Sequence, residues 1–445
     1  MANKNHPPAN QTPEPTAPSL SRRGFIAGSV VGVAAVTAGC AAAGSASASS
    51  GGDSVSVAAA SNSAKALSPD MPFDDFRQHL QALEERGLLL RFKRLDQDAY
   101  EMTALMYRLV EEHGWTNAPA ILAEEVKING EWIKGPVVAN HQGHWHSEAI
   151  TFGLDPVPND PTASYRKAID FLAEKITKGV YPQIEPVRVD NANAPCKEVV
   201  LTGDDIDLNR FAFIQSNPAD GGRYIDTGSI FTSDPEGGPN FGTYRCQIHG
   251  PRLISVNSEP NQTGWKHIMA AKERGEKFAP ISIVVGQDPY VWIVSGSRVI
   301  NRFLSKGPVD ELAVAGGLRG KALEVVKSET NDLIIPAHAE IVIEGEVRFD
   351  LPPQPEGPFG EMMGYMGPQK ADNFTMVVTK VTHRRDPWVL NVFTGATRGY
   401  STAPTTALYN NNLKRLVPQL IEIHSPLHAP ALPMFALKKP KRVRA

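Results

Sequence analysis

The pattern of apolar residues first becomes regular at residue 73 and predicts an α/β domain over residues 71–195. Two runs at helical spacing each end at a glycine, a common stop signal. They are Phe73, Phe76, Leu80, Leu83 and Gly87, followed by Met102, Leu105, Met106, Leu109, Val110 and Gly114. Partial alternation predicts a strand over 88–95, and another begins at 120–122. A linker rich in Ala, Asn and Pro ends the domain near residue 195.

A different texture begins at Cys196, where short β-branched runs alternate with turns rich in Gly, Pro and Asp. The predicted strands are Ile281–Val285, Val291–Ser295, Ile341–Val347 and Met376–Val381. Many short strands separated by turns favour a sandwich or barrel over residues 196–393. The remainder, 394–445, shows little pattern and ends in a cluster of Lys and Arg, which predicts a solvated tail.

The N-terminal segment has the features of a targeting sequence. Arg22 and Arg23 precede a mild apolar stretch, 27–38, which is too short to stay as a membrane-spanning helix. This arrangement resembles a twin-arginine export signal, predicted over residues 1–48. Residues 49–70, rich in Ser, Ala and Gly, predict a flexible linker.

The predicted signal contains two alternative cleavage sites, and the sequence does not decide between them. One is a lipoprotein-like box ending at Cys40, and the other is the Ala-Ser-Ala site at 46–48. We therefore expect export by the twin-arginine translocase, with the product either periplasmic or anchored to a membrane through a lipidated Cys40.

Composition narrows the function classes. The chain has 445 residues, a net charge of −3 and 41% hydrophobic residues, which excludes a disordered protein. With 45 basic and 48 acidic residues there is no basic footprint for nucleic acid. Three cysteines cannot form a disulfide framework. If Cys40 is lipidated, Cys196 and Cys246 remain, either as one bridge or as two buried free thiols.

The first candidate for chemistry is the run Glu356-Gly-Pro-Phe-Gly-Glu361, in which a stiff, tight turn separates two carboxylates. Such a turn can direct both into one site, one held ionised by a cation and the other carrying a proton. The apolar residues that follow, Met362, Met363, Tyr365 and Met366, predict burial rather than a solvated surface turn. Arg245 needs an anion partner, for which Glu356, Glu361 or a phosphate are candidates.

Two further sets contain potential metal ligands. Asn240, His267 and Glu311 offer the donors that an ion such as Mn²⁺ accepts, although their spacing alone is not diagnostic. His141, His144 and His146 are close enough to hold zinc, but a polar loop is the favoured interpretation because no Cys or carboxylate completes the set. The chain has no Gly-x-Ser-x-Gly elbow, phosphate loop or Cys-x-x-Cys, which disfavours nucleophilic hydrolysis and nucleotide triphosphate chemistry.

Six segments taken together, in this order, resemble the UbiD family of decarboxylases over residues 71–388. They are Asp220–Ile225, Asn240–Arg245, Glu311–Gly320, Ala339–Gly345, Glu356–Tyr365 and Thr382–Pro387. The resemblance implies an N-terminal α/β domain and a split β-barrel domain that binds prenylated FMN. It also implies a divalent metal, usually Mn²⁺, and often K⁺ at the cofactor phosphate.

The activity that the resemblance implies is reversible, non-oxidative decarboxylation of aromatic or α,β-unsaturated carboxylic acids. Loss of CO₂ leaves a carbanion that a cofactor must stabilise, while the protein supplies orientation and a proton. In this comparison Asn240, His267 and Glu311 match the family's metal ligands, and Arg245, Glu356 and Glu361 match its Glu-Arg-Glu network. Glu361 is then the proton donor, and Arg245 holds Glu356 ionised. Thr227, Gly242, Thr243 and Tyr244 fall at or near cofactor contacts.

The resemblance also implies partners: a flavin prenyltransferase that supplies the cofactor, and further copies of the chain in a homo-oligomer. Family chains continue into a C-terminal domain, so residues 394–445 are interpreted as the remnant of a truncated one. Two other classes of interpretation stay open, one without catalytic activity and one with a different activity. One is a non-catalytic exported flavin-binding or assembly paralogue, or a truncated inactive decarboxylase. The other is a plain flavin reductase, which would not need the Glu-Arg-Glu set.

Overall fold

The computed structural model describes residues 71–300, 309–362, 364–397, 399–424 and 434–438. The predicted export signal, the linker and the basic residues after Lys438 lie outside these ranges. Within them, no helix has both the length and the apolar character needed to cross a membrane.

The first four elements of the described chain alternate between helix and strand, as the apolar pattern predicts. The α-helices are α1 Phe76–Glu84, α2 Glu101–His113, α3 Trp145–Thr151, α4 Pro161–Lys175, α5 Thr263–Glu273, α6 Pro289–Gly296, α7 Glu311–Arg319 and α8 Ala403–Leu416. Both predicted glycine stops have positive φ, 69° at Gly87 and 81° at Gly114, a conformation that glycine adopts without strain. The mixed α/β class predicted from the sequence is confirmed.

Short strands dominate the middle of the chain. They are β1 Leu89–Asp96, β2 Ala120–Ile128, β3 Glu131–Ala139, β4 Val187–Arg188, β5 Val199–Thr202, β6 Tyr224–Ile225, β7 Ser229–Asp234, β8 Gly238–Thr243, β9 Cys246–Ile248, β10 Leu253–Val256, β11 Phe278–Val285, β12 Glu324–Lys327, β13 Ile334–Pro336, β14 Ile341–Arg348, β15 Gln354–Glu356, β16 Phe359–Gly360, β17 Met366–Gly367, β18 Lys370–His383, β19 Val389–Asn391, β20 Leu420–His424 and β21 Met434–Leu437.

Two sheets organise these strands. A four-stranded sheet has the order β1-β2-β3-β19, so a strand from late in the chain completes the sheet of the N-terminal part. A ten-stranded sheet has the order β6-β9-β10-β18-β14-β11-β7-β8, with β5 and β15 also paired to β18. Its pairings are antiparallel, and the described strands form an open path rather than a closed barrel. β8 and β9, which flank Arg245, lie towards opposite ends of this path.

One predicted strand, Val291–Ser295, is wrong, because this run lies in helix α6. Asp288 caps the helix by accepting from the backbone N–H groups of Tyr290 and Val291, and Pro289 occupies its first turn. The helix is buried on nearly all sides, so it lacks the polar face that reveals a helix in sequence. A short apolar run of this kind cannot be told from a buried strand by periodicity.

The sequence also failed to predict α8, in a stretch where no pattern was found. Its N-terminus is held by Glu148, a fully buried carboxylate from α3 that accepts hydrogen bonds from the hydroxyl of Ser401 and from the backbone of Thr402 and Ala403. A carboxylate at the N-terminus of a helix also interacts favourably with the helix dipole. The residue that stabilises the helix therefore lies some 250 positions away, beyond the reach of any local pattern.

Candidate active site

Arg245 joins the two carboxylates of the Glu356–Glu361 turn. Its Nε and Nη2 donate to Glu356 Oε1 and Oε2 at 2.7 and 3.1 Å, and its Nη1 donates to Glu361 Oε1 at 2.6 Å. Glu356 is fully buried, whereas the Glu361 side chain is 30% exposed. One guanidinium therefore orients two carboxylates, of which Glu356 is shielded from solvent and Glu361 is accessible to it. Burial alone lowers the pKa of Arg245, but its hydrogen bonds to both glutamates raise it overall.

The local backbone explains why the accessible carboxylate is Glu361. Glu356 ends β15, and Glu361 follows β16 at the base of the β16–β17 hairpin. The backbone N–H of Glu361 donates to the carbonyl of Tyr365 at 2.8 Å and closes the turn. Gly367, on the facing strand, makes room for the acid, since a Cβ there would lie 2.6 Å from Glu361 Oε1.

The predicted burial of the residues after Glu361 is wrong. Met362, Tyr365 and Met366 are 48, 59 and 37% exposed, and Met363 lies outside the described residues. They belong to a hairpin turn with few neighbours, so their side chains face solvent. The apolar residue that is buried is Phe359, whose ring lies 4.8 Å from the Arg245 guanidinium carbon.

Glu356 has two further donors. Tyr224 Oη donates to Glu356 Oε1 at 3.0 Å, and Asn257 Nδ2 donates to Oε2 at 3.0 Å. Burial and the neighbouring Glu356 raise the pKa of Tyr224, so it remains a donor at neutral pH. Each oxygen of Glu356 thus accepts two hydrogen bonds. Glu361, by contrast, has Arg245 as its one side-chain hydrogen-bond partner within the described part of the chain.

The segment Asp220–Gly222 packs directly against the carboxylate turn. Gly221 N–H donates to the carbonyl of Pro358 at 2.7 Å, and a Cβ at Gly221 would lie only 2.3 Å from the Gly357 oxygen. Gln247 bridges the two segments, donating to Gly221 O at 2.7 Å and accepting from Gly357 N at 2.9 Å. Only a glycine at 221 permits this approach.

The predicted metal ligands lie in a second polar cluster. Asn240 Nδ2 donates to both oxygens of Glu311, at 2.8 and 2.7 Å, and Phe241 N–H donates to Glu311 Oε2 at 2.6 Å. His267 is connected through Thr232, which is paired with Asn240 in the sheet and whose hydroxyl lies 3.1 Å from His267 Nδ1. All three predicted ligands are buried.

These residues fit a divalent cation. The amide oxygen of Asn240 is buried and has no hydrogen-bond partner in the described part of the chain. An unsatisfied buried acceptor is unfavourable and a bound cation would satisfy it. Amide oxygen, imidazole and carboxylate are donors that Mn²⁺ accepts.

The predicted cofactor contacts are distributed around β8. Gly242 and Thr243 end this strand, and the Thr243 hydroxyl lies 2.7 Å from Ser295 Oγ. Tyr244 packs against Gly242, where a Cβ would lie 2.9 Å from its hydroxyl. Thr227 is fully buried, and its hydroxyl donates to the carbonyl of Leu390 at 2.7 Å. The side chain of Thr227 is therefore directed to the backbone of β19 rather than to either polar cluster.

The three histidines considered for zinc have separate contacts. His141 is buried edge-on against Phe76 and His79, and burial lowers its pKa well below the usual range. His144 Nδ1 accepts from the backbone of His146, whose own Nδ1 lies 2.8 Å from Ser164 Oγ. Across the residues that the structure describes, no group of three His, Cys, Asp or Glu side chains could hold a metal. Cys196 and Cys246 are both free and buried, which confirms the free-thiol alternative.

Sequence reasoning missed Asn257 and Gln247 as parts of the site. Gln247 is the middle residue of β9, Asn257 directly follows β10, and each is less than a tenth exposed. The only signal in the sequence was a polar residue within or next to a short apolar run, because a polar side chain that becomes buried there needs a hydrogen-bond partner. Tyr224 and Asp220 lay inside a segment already singled out, but without an assigned role.

Residues 187–397 match the family model for UbiD, described as the 3-octaprenyl-4-hydroxybenzoate carboxy-lyase Rift-related domain. This part of the chain, just under half of its length, is similar to that family domain. It contains the carboxylate cluster and the Asn240 cluster, so both belong to the region that the family shares. An uncharacterized protein of Synechocystis sp. (strain PCC 6803) is 29% identical over 377 residues, which are 80% of this chain and 70% of the relative.

Two solved enzyme structures also resemble this chain. The open form of vanillic acid decarboxylase from Sedimentibacter hydroxybenzoicus has a TM-score of 0.69 and 25% identity, covering 82% of this chain and 74% of its own. An evolved dimeric form of the UbiD-class enzyme HmfF from Pelotomaculum thermopropionicum, in complex with prFMN, has a TM-score of 0.69 and 26% identity, covering 83 and 80%. This chain therefore shares the fold of these enzymes over most of its length.

Proposed function

We propose that this chain is a UbiD-class decarboxylase that removes CO₂ from an aromatic or α,β-unsaturated carboxylic acid, reversibly and without net oxidation. The observation that carries the proposal is the Glu356–Arg245–Glu361 arrangement, in which one arginine holds a saturated carboxylate and an accessible one. A plain flavin reductase would have no use for this pair. A flavin-binding protein without catalytic activity would not need Glu361 accessible.

The two carboxylates have different roles because their surroundings differ. Glu356 accepts four hydrogen bonds and has no lone pair left for substrate, so it fixes the orientation of Arg245. Glu361 has one such bond and is partly exposed, so it can hold a proton and deliver it to the carbon that has lost CO₂. Arg245 keeps the donor in place throughout.

Asn240, His267 and Glu311 would hold a divalent cation, with Mn²⁺ the expected ion and K⁺ a further candidate at the cofactor phosphate. Prenylated FMN, when bound, supplies the electron sink that decarboxylation at an unsaturated carbon requires. On this proposal Gly242, Thr243 and Tyr244 lie along its binding surface, and Thr227 lies near it. The cation would neutralise charge on the cofactor phosphate.

We also propose where and with what the protein works. A flavin prenyltransferase supplies the cofactor in the cytoplasm, and the twin-arginine translocase then exports the folded protein to the periplasm or, through Cys40, to a membrane. The protein acts as a homo-oligomer. The export proposal rests on the twin arginines and the apolar stretch after them in the printed sequence.

Co-expression with a flavin prenyltransferase tests the activity. The purified protein should show a modified-flavin absorbance spectrum and release CO₂ from at least one member of a panel of aromatic and unsaturated acids that includes vanillic acid. When the decarboxylated product is incubated with the cofactor-loaded protein in D₂O, it should exchange hydrogen for deuterium at the carbon that carried the carboxylate. A cofactor-loaded protein that is silent on every acid and in every exchange assay contradicts the enzymatic proposal and favours the binding-protein alternative.

A further inference from the structure

Asp220 contacts the catalytic turn at a point that the proposed chemistry does not use. Its carboxylate is buried, with the residue 7% exposed. Oδ2 accepts from the backbone N–H of Asn217 at 2.9 Å, and Oδ1 accepts from the backbone N–H of Gly360 at 2.8 Å. One side chain therefore connects its own turn to the residue immediately before Glu361.

This contact attaches the hairpin at Gly360, the residue next to Glu361. The bonds through Gly221 and Gln247 hold the first half of the turn, at Gly357 and Pro358. At Gly360 the backbone is held from both sides, because its carbonyl accepts from the Thr394 hydroxyl at 2.5 Å while its N–H donates to Asp220. The two peptides that flank Gly360 are therefore each held by one hydrogen bond, the Phe359–Gly360 peptide to Asp220 and the Gly360–Glu361 peptide to Thr394.

We propose that Asp220 is a positioning residue for Glu361: its ionised carboxylate fixes the Gly360 backbone and thereby sets the distance between the Glu361 carboxyl group and Arg245. The inference rests on the proposed function of Glu361 as a proton donor. A carboxylate suits this task because both of its oxygens accept, one from each segment, whereas an amide would place an NH₂ group against one of the two N–H donors.

The electrostatic surroundings make this contact sensitive to pH. The titratable and charged groups that act on or respond to Asp220 are Arg245, Glu356, Tyr100 and Asp226. Burial raises the pKa of Asp220 to about 6, against the opposing effect of the two N–H donors and Arg245. Protonation places a hydrogen on an oxygen that now accepts an N–H, so we expect the Gly360 contact to weaken below about pH 6.

Hydrogen exchange with residue-level mass spectrometry tests the contact directly. In Asp220→Asn we expect the Gly360 amide to exchange about tenfold faster than in the wild type, since one hydrogen bond is lost. The matched control is Asp160→Asn, which alters a carboxylate that accepts Ala163 N–H at the start of α4, remote from the site. The control should leave Gly360 unchanged. Equal exchange in Asp220→Asn and the control would overturn the proposal.

The wild type provides a second measurement that does not depend on a variant folding. After correction for intrinsic rates, Gly360 protection should fall on going from pH 7.5 to pH 5 while protection of the Ala163 amide stays constant. In the active enzyme, kcat should fall with acid through about pH 6, and that acid limb should be absent in Asp220→Asn. An unchanged limb contradicts the positioning role. Because the exchange experiment needs no substrate or cofactor, a failure of the proposed decarboxylation leaves it interpretable.

Discussion

Glu356 and Glu311 are both buried carboxylates in the region that matches the UbiD family model, yet the protein groups that surround them differ. Glu356 has a guanidinium, a phenol and an amide arranged around it, and both of its oxygens accept twice. In the other cluster Asn240 donates to both oxygens of Glu311, and its own amide oxygen is buried without a partner among the described residues. The first cluster is complete from protein groups alone, whereas the second is completed by a cation on our proposal.

The largest effect is expected at the accessible end of the first cluster. Glu361→Gln keeps the size of the side chain and a hydrogen-bonding oxygen but removes the transferable proton. We expect kcat to fall by about 10²–10⁴-fold, the usual contribution of a positioned acid, while the bound flavin spectrum stays unchanged. The control is Glu276→Gln, which alters a surface carboxylate paired with Arg274. Full turnover in Glu361→Gln would remove this residue as the donor.

Breaking the first cluster at its centre should affect stability. Arg245→Ala leaves Glu356 buried without its cation, and losing one partner of a buried pair costs about 3–5 kcal/mol. Chemical denaturation measures the change. Arg210→Ala, which removes an exposed arginine with a long contact to Asp207, should change stability by less than about 1 kcal/mol. If the two variants are equally stable, Arg245 does not hold the cluster together.

For the second cluster we expect that added Mn²⁺ stabilises the protein and that a variant of the cluster loses this stabilisation. Mn²⁺ at a hundred times its dissociation constant should stabilise the wild type by about 2.7 kcal/mol, seen as a rise in Tm. His267→Ala should lose most of this response. His338→Ala, which removes a histidine paired with Glu324 outside the cluster, should retain it. An equal Mn²⁺ response in both variants would place the ion elsewhere.

The smallest expected effect compares one acid near each cluster. Burial raises the folded-state pKa of Asp220 to about 6. Its titration therefore adds to the free energy of unfolding of the whole protein below pH 3.8, and this contribution is lost as the pH rises through about 6. Asp234, at the end of β7, has the opposite sign: despite some burial, its bonds to Arg274 and to backbone N–H groups lower its pKa. Its stabilisation is present at neutral pH and lost on acidification below pH 3.8.

Stability measured against pH for Asp220→Asn and Asp234→Asn should therefore diverge from the wild type in opposite directions. The comparison is between the slopes of the two curves, since both variants also lose hydrogen bonds at every pH. Parallel curves for the two variants would contradict the assignment of opposite shifts.

Much of the fold could be predicted where the sequence pattern is local. The two amphipathic helices with glycine stops and the strands around Ile283, Ile343 and Val378 appear where they were predicted. Prediction failed where burial removes the pattern, as in α6, and where a distant side chain decides the structure, as Glu148 does for α8. The exposure of Tyr365 was missed because composition does not reveal that a turn projects from the sheet.

The sequence by itself determined which groups are available: two glutamates on a short Gly-Pro-Phe-Gly turn, an arginine that needs an anion, and an amide, an imidazole and a carboxylate suited to a hard cation. It also carried the family resemblance, because motif residues keep their identity and order. Only the tertiary structure decided that Glu356 is closed and Glu361 accessible, and that Tyr224, Asn257 and Asp220 support them. Those differences depend on burial and on partners that the tertiary fold brings together from 99 to 140 residues apart in the chain.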